Sequence, residues 1–181
     1  MIRVFATLIL ASVAACATSG TVGTTARPVS QDISVGAGGA GDRLTIAPSA
    51  GPNVNTLEFA PDRVWKVLPA AFDSVAVPVT HLDPATRTIG NEGFKLRQRL
   101  GKVPLSRYFD CGTTQIGPNA DSYDVFLTVM VQVQAAGAGS KLVTNVEASA
   151  RPITFSQAYS RCSSRGSLEA RLLDAIRAQL K

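Results

Sequence analysis

Apolar or aromatic side chains recur at every second position from Tyr123 to Val133, as Tyr123, Val125, Leu127, Val129, Val131 and Val133, within residues 121–155. A period of two places all of them on one side of an extended chain, the signature of a half-buried strand. The small residues of "AAGAGSK" follow, and Leu142, Val146 and Ala148 then line one side of a second β-rich run. The pattern predicts a long antiparallel hairpin. Such a hairpin has to bury its apolar side, so the rest of the chain must supply a covering layer.

Two segments carry the helical period that a covering layer needs. In "GSLEARLLDAIRAQLK", residues 166–181, Leu168, Leu172, Leu173, Ile176 and Leu180 form one broad stripe, with Arg171, Asp174, Arg177 and Lys181 opposite. An amphipathic helix of this kind packs on a sheet, or else docks on a membrane or a partner. In residues 59–78, Val64, Leu68, Ala71, Phe72 and Val75 share a face, with Trp65 at its edge as a core residue rather than a ligand contact. Pro61 and Asp62 suit a first turn, where a missing N–H costs little and negative charge meets the positive end of the dipole. Pro69 predicts either a kink or a later start.

Residues 78–100 read as two strands around a turn at "DPAT". The second directs Phe94, Leu96 and Leu100 inward and Lys95, Arg97 and Arg99 outward. Those three cations make a basic stripe, either a solvated face or a contact for the phosphates of an anionic membrane surface, worth about 1 kcal/mol per cation there. Residues 104–112 read as a turn or single helical turn delivering Cys111. The resulting order is strand, helix, two strands, two long strands, helix. It predicts an α+β fold in residues 53–181: one antiparallel sheet with two helices packed on one face.

The N-terminus predicts an address. Met1, Ile2 and Arg3 precede an apolar run from Val4 to Val13, and "VAAC" ends it at Cys16. A run of about ten residues is half of the roughly 20 needed to span a bilayer. It reads as a cleavable secretion signal over residues 1–15. "VAAC" resembles the lipobox of bacterial lipoproteins, with Val13 in the place usually held by leucine. That resemblance implies diacylation of the Cys16 sulfur and anchoring of the mature chain to a membrane, facing the periplasm. Ala17, rather than aspartate, follows the cysteine, which by the enterobacterial sorting rule implies the outer membrane; the periplasmic side of the inner membrane is the alternative. An ordinary secretory peptide ending near Ala15 is the plainer reading. Residues 16–52 are rich in Gly, Ser, Thr and Ala and read as a lipidated flexible tether, with "RLTIA" at 43–47 as an isolated strand. "GAGGAG" at 36–41 fits a dinucleotide-binding pattern, but the β-branched residues and prolines after it leave no helix to face a pyrophosphate.

Of 18 Lys and Arg, only Arg3 lies in the leader, leaving 17 against 13 Asp and Glu, a net +4 that is too mild for a nucleic-acid partner. With Cys16 committed to lipid, Cys111 and Cys162 remain as an even pair. In an oxidising compartment they predict a disulfide closing a loop of about 52 residues, worth on the order of 4 kcal/mol. Neither has the C-x-x-C spacing or histidine partner of a redox or metal pair. His81 is the sole histidine, which excludes a multi-histidine metal site and leaves any Ser or Cys nucleophile one possible imidazole base. Beside a turn, it reads as a rim residue. Asp121 and Asp124 sit where acidic residues are ordinary at a strand entry. The chain is therefore expected to be non-catalytic, without cofactor or metal.

The stretches "RVWKVLPAAF", "TIGNEGF" and "GSLEARLLDAI", with the element order, resemble the helix-grip domains of BamC, a lipoprotein of the outer-membrane β-barrel assembly machinery. The resemblance spans about residues 54–181 and implies a helix-grip architecture and a non-catalytic part in an outer-membrane complex, with no binding residue to transfer. A module for envelope structure, assembly or interaction is the expected function. The alternative is a binder of lipid or another hydrophobic ligand between helix and sheet, where the small residues Ala71, Ala148 and Ala150 would leave room.

Overall fold

In the computed structural model of the chain, residues 31–33, 44–46, 51–154 and 156–181 are described. The expected leader, Cys16 and "GAGGAG" lie outside them. Leu44–Ile46, expected as an isolated strand, is instead paired antiparallel with Gln31–Ile33.

The main sheet has seven strands: β1 (Asn53–Leu57), β2 (His81–Asp83), β3 (Thr88–Arg97), β4 (Phe109–Asp110), β5 (Asp124–Ala136), β6 (Gly139–Arg151) and β7 (Ser160–Ser164). Two helices, α1 (Pro61–Ser74) and α2 (Ser167–Leu180), complete the α+β domain. Strand order is β2-β3-β5-β6-β7-β4, with β1 also on β6, and every pairing is antiparallel. The expected hairpin is β5–β6, paired without interruption from Asp124↔Arg151 to Ala136↔Gly139 around a tight turn at Gly137 and Ala138. Gly137 takes φ +59°, a conformation that glycine adopts without a Cβ clash.

Burial follows the alternation. Val125, Leu127, Val129, Val131 and Val133 of β5 and Leu142, Val146, Ala148 and Ala150 of β6 are buried on one side of the sheet. That side is covered by α1, which packs on α2 and reaches β3, β5 and β6, while α2 reaches β6. Val64, Leu68, Ala71 and Phe72 from α1 and Leu168, Leu172, Leu173, Ile176 and Leu180 from α2 join the same hydrophobic cluster. Each fully buried Leu, Ile or Phe there contributes about 1.5–3 kcal/mol of transfer free energy. Trp65 is half-buried against this cluster, and Ala71, Ala148 and Ala150 lie inside it. Their smallness lets helix and sheet approach.

Pro69 neither delays nor ends α1, which starts at Pro61 and runs to Ser74. The proline stands on the exposed side, so the Trp65 carbonyl that loses its N–H partner there can turn to water. The helix ends in a Schellman arrangement: the Val77 N–H donates to the Phe72 carbonyl at 3.1 Å and the Ala76 N–H to Asp73 at 2.9 Å. Ala76 occupies the left-handed position usually given to glycine, with φ +60°. Arg63 joins the helices at the opposite end of α1, donating from Nη2 to the Leu180 carbonyl at 2.7 Å.

β3 carries a bulge. Phe94 faces Leu127 and Asn91 faces Val129, so Glu92 and Gly93 oppose the single residue Thr128. Asn91, buried at this kink, donates from Nδ2 to the Pro78 carbonyl at 2.8 Å and accepts from the Gly93 N–H at 2.9 Å. β1 and β7 lie end to end along one edge of β6, β1 on Ser140–Thr144 and β7 on Ala148–Ala150. Beyond β7, β4 adds two residues, and the Cys111–Cys162 disulfide ties its exit to β7.

Candidate functional site

The helices seal one side of the sheet, and the other side is where a site can be built. Pairing register sets its rows: Lys95, Phe126, Ser149 and Arg161 run across β3, β5, β6 and β7. Arg97, Asp124 and Arg151 form the next row toward the sheet end. After β6 the chain makes an excursion and returns through Tyr159. The Tyr159 ring lies 6.1 Å from that of Phe126, and the Arg151 guanidinium stacks 4.7 Å from its centroid.

Together these residues bound a cleft of about 300 Å³ lined by Phe126, Thr128, Glu147, Ser149, Tyr159 and Arg161. Its chemistry is mixed. Phe126, 37% exposed, and Tyr159 supply aromatic surface, while Glu147 and Arg161 approach to 3.9 Å. The Tyr159 hydroxyl is buried without a hydrogen-bond partner among the described residues, an unmet donor beside the cleft.

A second groove, about 560 Å³, opens at the sheet end between the Thr113–Pro118 loop and the chain leaving β6. Ile116, Tyr123, Pro152 and Ile153 are its apolar walls. Pro152, Ile153 and Thr154 also line a hollow shared with Asp124 and Arg151, so groove and charged row are continuous.

The charges of this end are coupled. Arg97 Nε donates to Asp124 Oδ1 at 2.5 Å, and Arg151 Nε stands 4.0 Å from the other carboxylate oxygen. The hydrogen bond from Arg97, with the positive charges of Arg97, Arg151 and Lys95, holds the Asp124 carboxyl below the usual carboxylate range. Lys95, Arg97 and Arg99 are all exposed, as expected. They do not form one straight stripe, because β3 ends at Arg97 and Gln98 turns the chain with φ +63°. Arg99 belongs to a separate two-residue ladder, Arg99–Leu100 with Val103–Pro104, and donates to the Lys102 carbonyl at 3.3 Å.

The remaining candidates have structural partners. His81 Nδ1 lies 3.3 Å from Glu92 Oε1 at the edge of the sheet. Asp121 accepts from the Ser106 N–H at 2.8 Å and from its hydroxyl at 2.6 Å, so it braces the 105–121 loop and does not pair with Asp124. Asp83 caps the "DPAT" turn through the Thr86 hydroxyl and the Ala85 N–H, which lower its pKa in that order. Cys111 and Cys162 are bonded, with Cα atoms 4.4 Å apart. Among the described residues no cluster of three His, Cys, Asp or Glu is arranged to hold a metal, and no helix is long and apolar enough to cross a membrane.

Sequence reasoning missed Tyr159, Ile116 and Ile153. The one signal for Ile116 was an apolar residue stranded among turn formers in "TTQIGPN". No protein-family model matches this chain, and no curated protein matches it either.

Proposed function

We propose that the chain is a lipid-anchored envelope protein facing the periplasm, on the outer membrane, whose α+β domain serves as a non-catalytic assembly or interaction module. The leader over residues 1–15, with Cys16 directly after it, and the small-residue stretch that follows support the anchor and tether. The observation that carries the module is the uneven dressing of the sheet. One side is sealed under two helices, and the other is left open around the Phe126–Tyr159 cleft. Aromatic and arginine side chains grouped on an exposed face are the composition of interaction hot spots. A ligand held between helices and sheet draws no support from Ala71, Ala148 and Ala150, which pack inside the core.

The test is site-specific photo-cross-linking in intact cells. A photoreactive residue at Thr128, on the open face, is expected to capture an envelope protein, while one at the exposed Arg171 of α2 does not. Equal capture from both positions, or none from Thr128, would sink the module reading. Fatty-acid labelling tests the anchor separately: Cys16→Ser is expected to abolish incorporation and release the protein from membranes.

A further inference from the structure

We propose that the sheet end bearing Ile116 and Ile153 is a second membrane contact, by which the domain itself docks on an anionic bilayer surface. Resting on the lipid-anchored reading above for its setting, it adds a face and an orientation to what would otherwise be a tethered body.

The apolar part is a rigid finger. Thr113–Thr114 pairs with Gly117–Pro118, leaving Gln115 and Ile116 as the two-residue tip, and Ile116 is 86% exposed. The base of the finger is fixed rather than floppy: Cys111 is held by its disulfide, Asn119 Nδ2 donates to the Cys111 carbonyl at 3.1 Å, and the Asn119 N–H donates to Gly112 at 3.0 Å. Across the groove stands Ile153, 49% exposed, beside Pro152. Among the described residues, no packing accounts for an isoleucine at such a tip.

Charge reaches it through Arg151. Arg151 lines the adjoining hollow with Ile153, and Arg97 shares Asp124 with it. Lys95 lies on the same strand as Arg97, and beyond its end come exposed Arg99 in the two-residue ladder and exposed Lys102 in the turn of that ladder. Asp124 offsets one of these five cations. Protruding apolar side chains with a basic patch to one side suit the headgroup boundary of a bilayer, where burial and attraction to anionic lipid act together. A protein partner fits less well, because a stable interface takes roughly 800 Å² a side, about 20–30 residues, whereas the exposed apolar surface here is Ile116 at the tip and Ile153 across the groove, with Tyr123 and Pro152 half-buried between them. A bilayer needs no matching concavity, and tethering raises the local concentration enough for a weak contact to orient the domain.

The experiment uses the chain carrying Cys16→Ser, so that no lipid is attached and vesicle binding reports the domain alone. Co-sedimentation with vesicles of phosphatidylcholine and phosphatidylglycerol is compared with phosphatidylcholine alone. Binding is expected only to the anionic vesicles, weakening with salt. Ile116→Ser with Ile153→Ser is expected to weaken it about tenfold or more without lowering the melting temperature. Lys95→Gln with Arg99→Gln and Lys102→Gln should weaken it and flatten the salt dependence. No binding to anionic vesicles, or binding indifferent to the isoleucines, would overturn the proposal, as would a cross-linker at position 116 capturing protein in cells while vesicles are ignored. Failure of Cys16 labelling would strike the anchor reading alone, since these vesicle measurements do not use it.

Discussion

The ring of Phe126 lies across Gly93, so close that a Cβ on Gly93 would collide with it. The bulge in β3 creates this seat, and the absence of a side chain keeps it open. Gly93→Ala is expected to push the ring off its place, loosening its contact with Tyr159, at a cost of about 1 kcal/mol because the exposed ring can swing aside. Gly90→Ala is a harsher change, since its Cβ would meet the Val129 backbone carbonyl and the Met130 Cα. About 3 kcal/mol is expected there. Urea denaturation of both variants gives the order, and equal losses would contradict it.

Ala76→Gly should stabilise the protein. The left-handed conformation costs an L-residue about 1–2 kcal/mol that glycine avoids, and the extra freedom of glycine in the unfolded chain returns part of that. A net gain of about 0.5–1 kcal/mol is expected, read as a rise in melting temperature.

Removing the disulfide by Cys111→Ser with Cys162→Ser is expected to cost about 4 kcal/mol or somewhat less, from the loop entropy of the unfolded chain. The loss should be local first. β4 meets β7 at only Ser163↔Asp110 and Ser164↔Phe109, so hydrogen exchange is expected to rise earliest in residues 109–118 and 160–164. A titration of denatured, unreduced wild-type protein should find neither thiol free.

Acid sensitivity follows from Asp124 and Asp83, whose folded pKa values lie below the unfolded value of about 3.9. Their contribution is fully present above about pH 4 and is lost as pH falls through the lowered folded values. Asp124→Asn is therefore expected to lower stability at neutral pH and flatten the decline of the melting temperature below pH 4. An unchanged acid limb would mean that the Arg97 pair contributes nothing there.

The β5–β6 hairpin and both helices were legible because each buries one face, and burial writes its period into the sequence. Val125 to Val133 and Leu168 to Leu180 could hardly serve another structure. The edge strands left no such trace. "SRCSS" of β7 has no apolar alternation and is held by the β6 edge and the Cys162 bond, while the "TIGNEGF" bulge depends on Phe126, distant in sequence. The end of α1 was obscure for a different reason: Ala76 occupies a position where glycine would have announced the stop. The open-face cleft required the return of Tyr159 onto Phe126, a tertiary event with no periodic signature.

The shared edge of β6 bears on how the chain is made. Its first half is completed by Asn53–Leu57 and its second by Ser160–Ser164, with α2 arriving last of all. A polypeptide made from its N-terminus thus keeps a bare stretch of the β6 edge, and a sheet side covered by α1 alone, until residues 160–181 emerge. Completion of the fold is deferred to the end of synthesis, and a product truncated before β7 exposes the edge and apolar surface by which quality-control proteases and chaperones recognise unfinished chains.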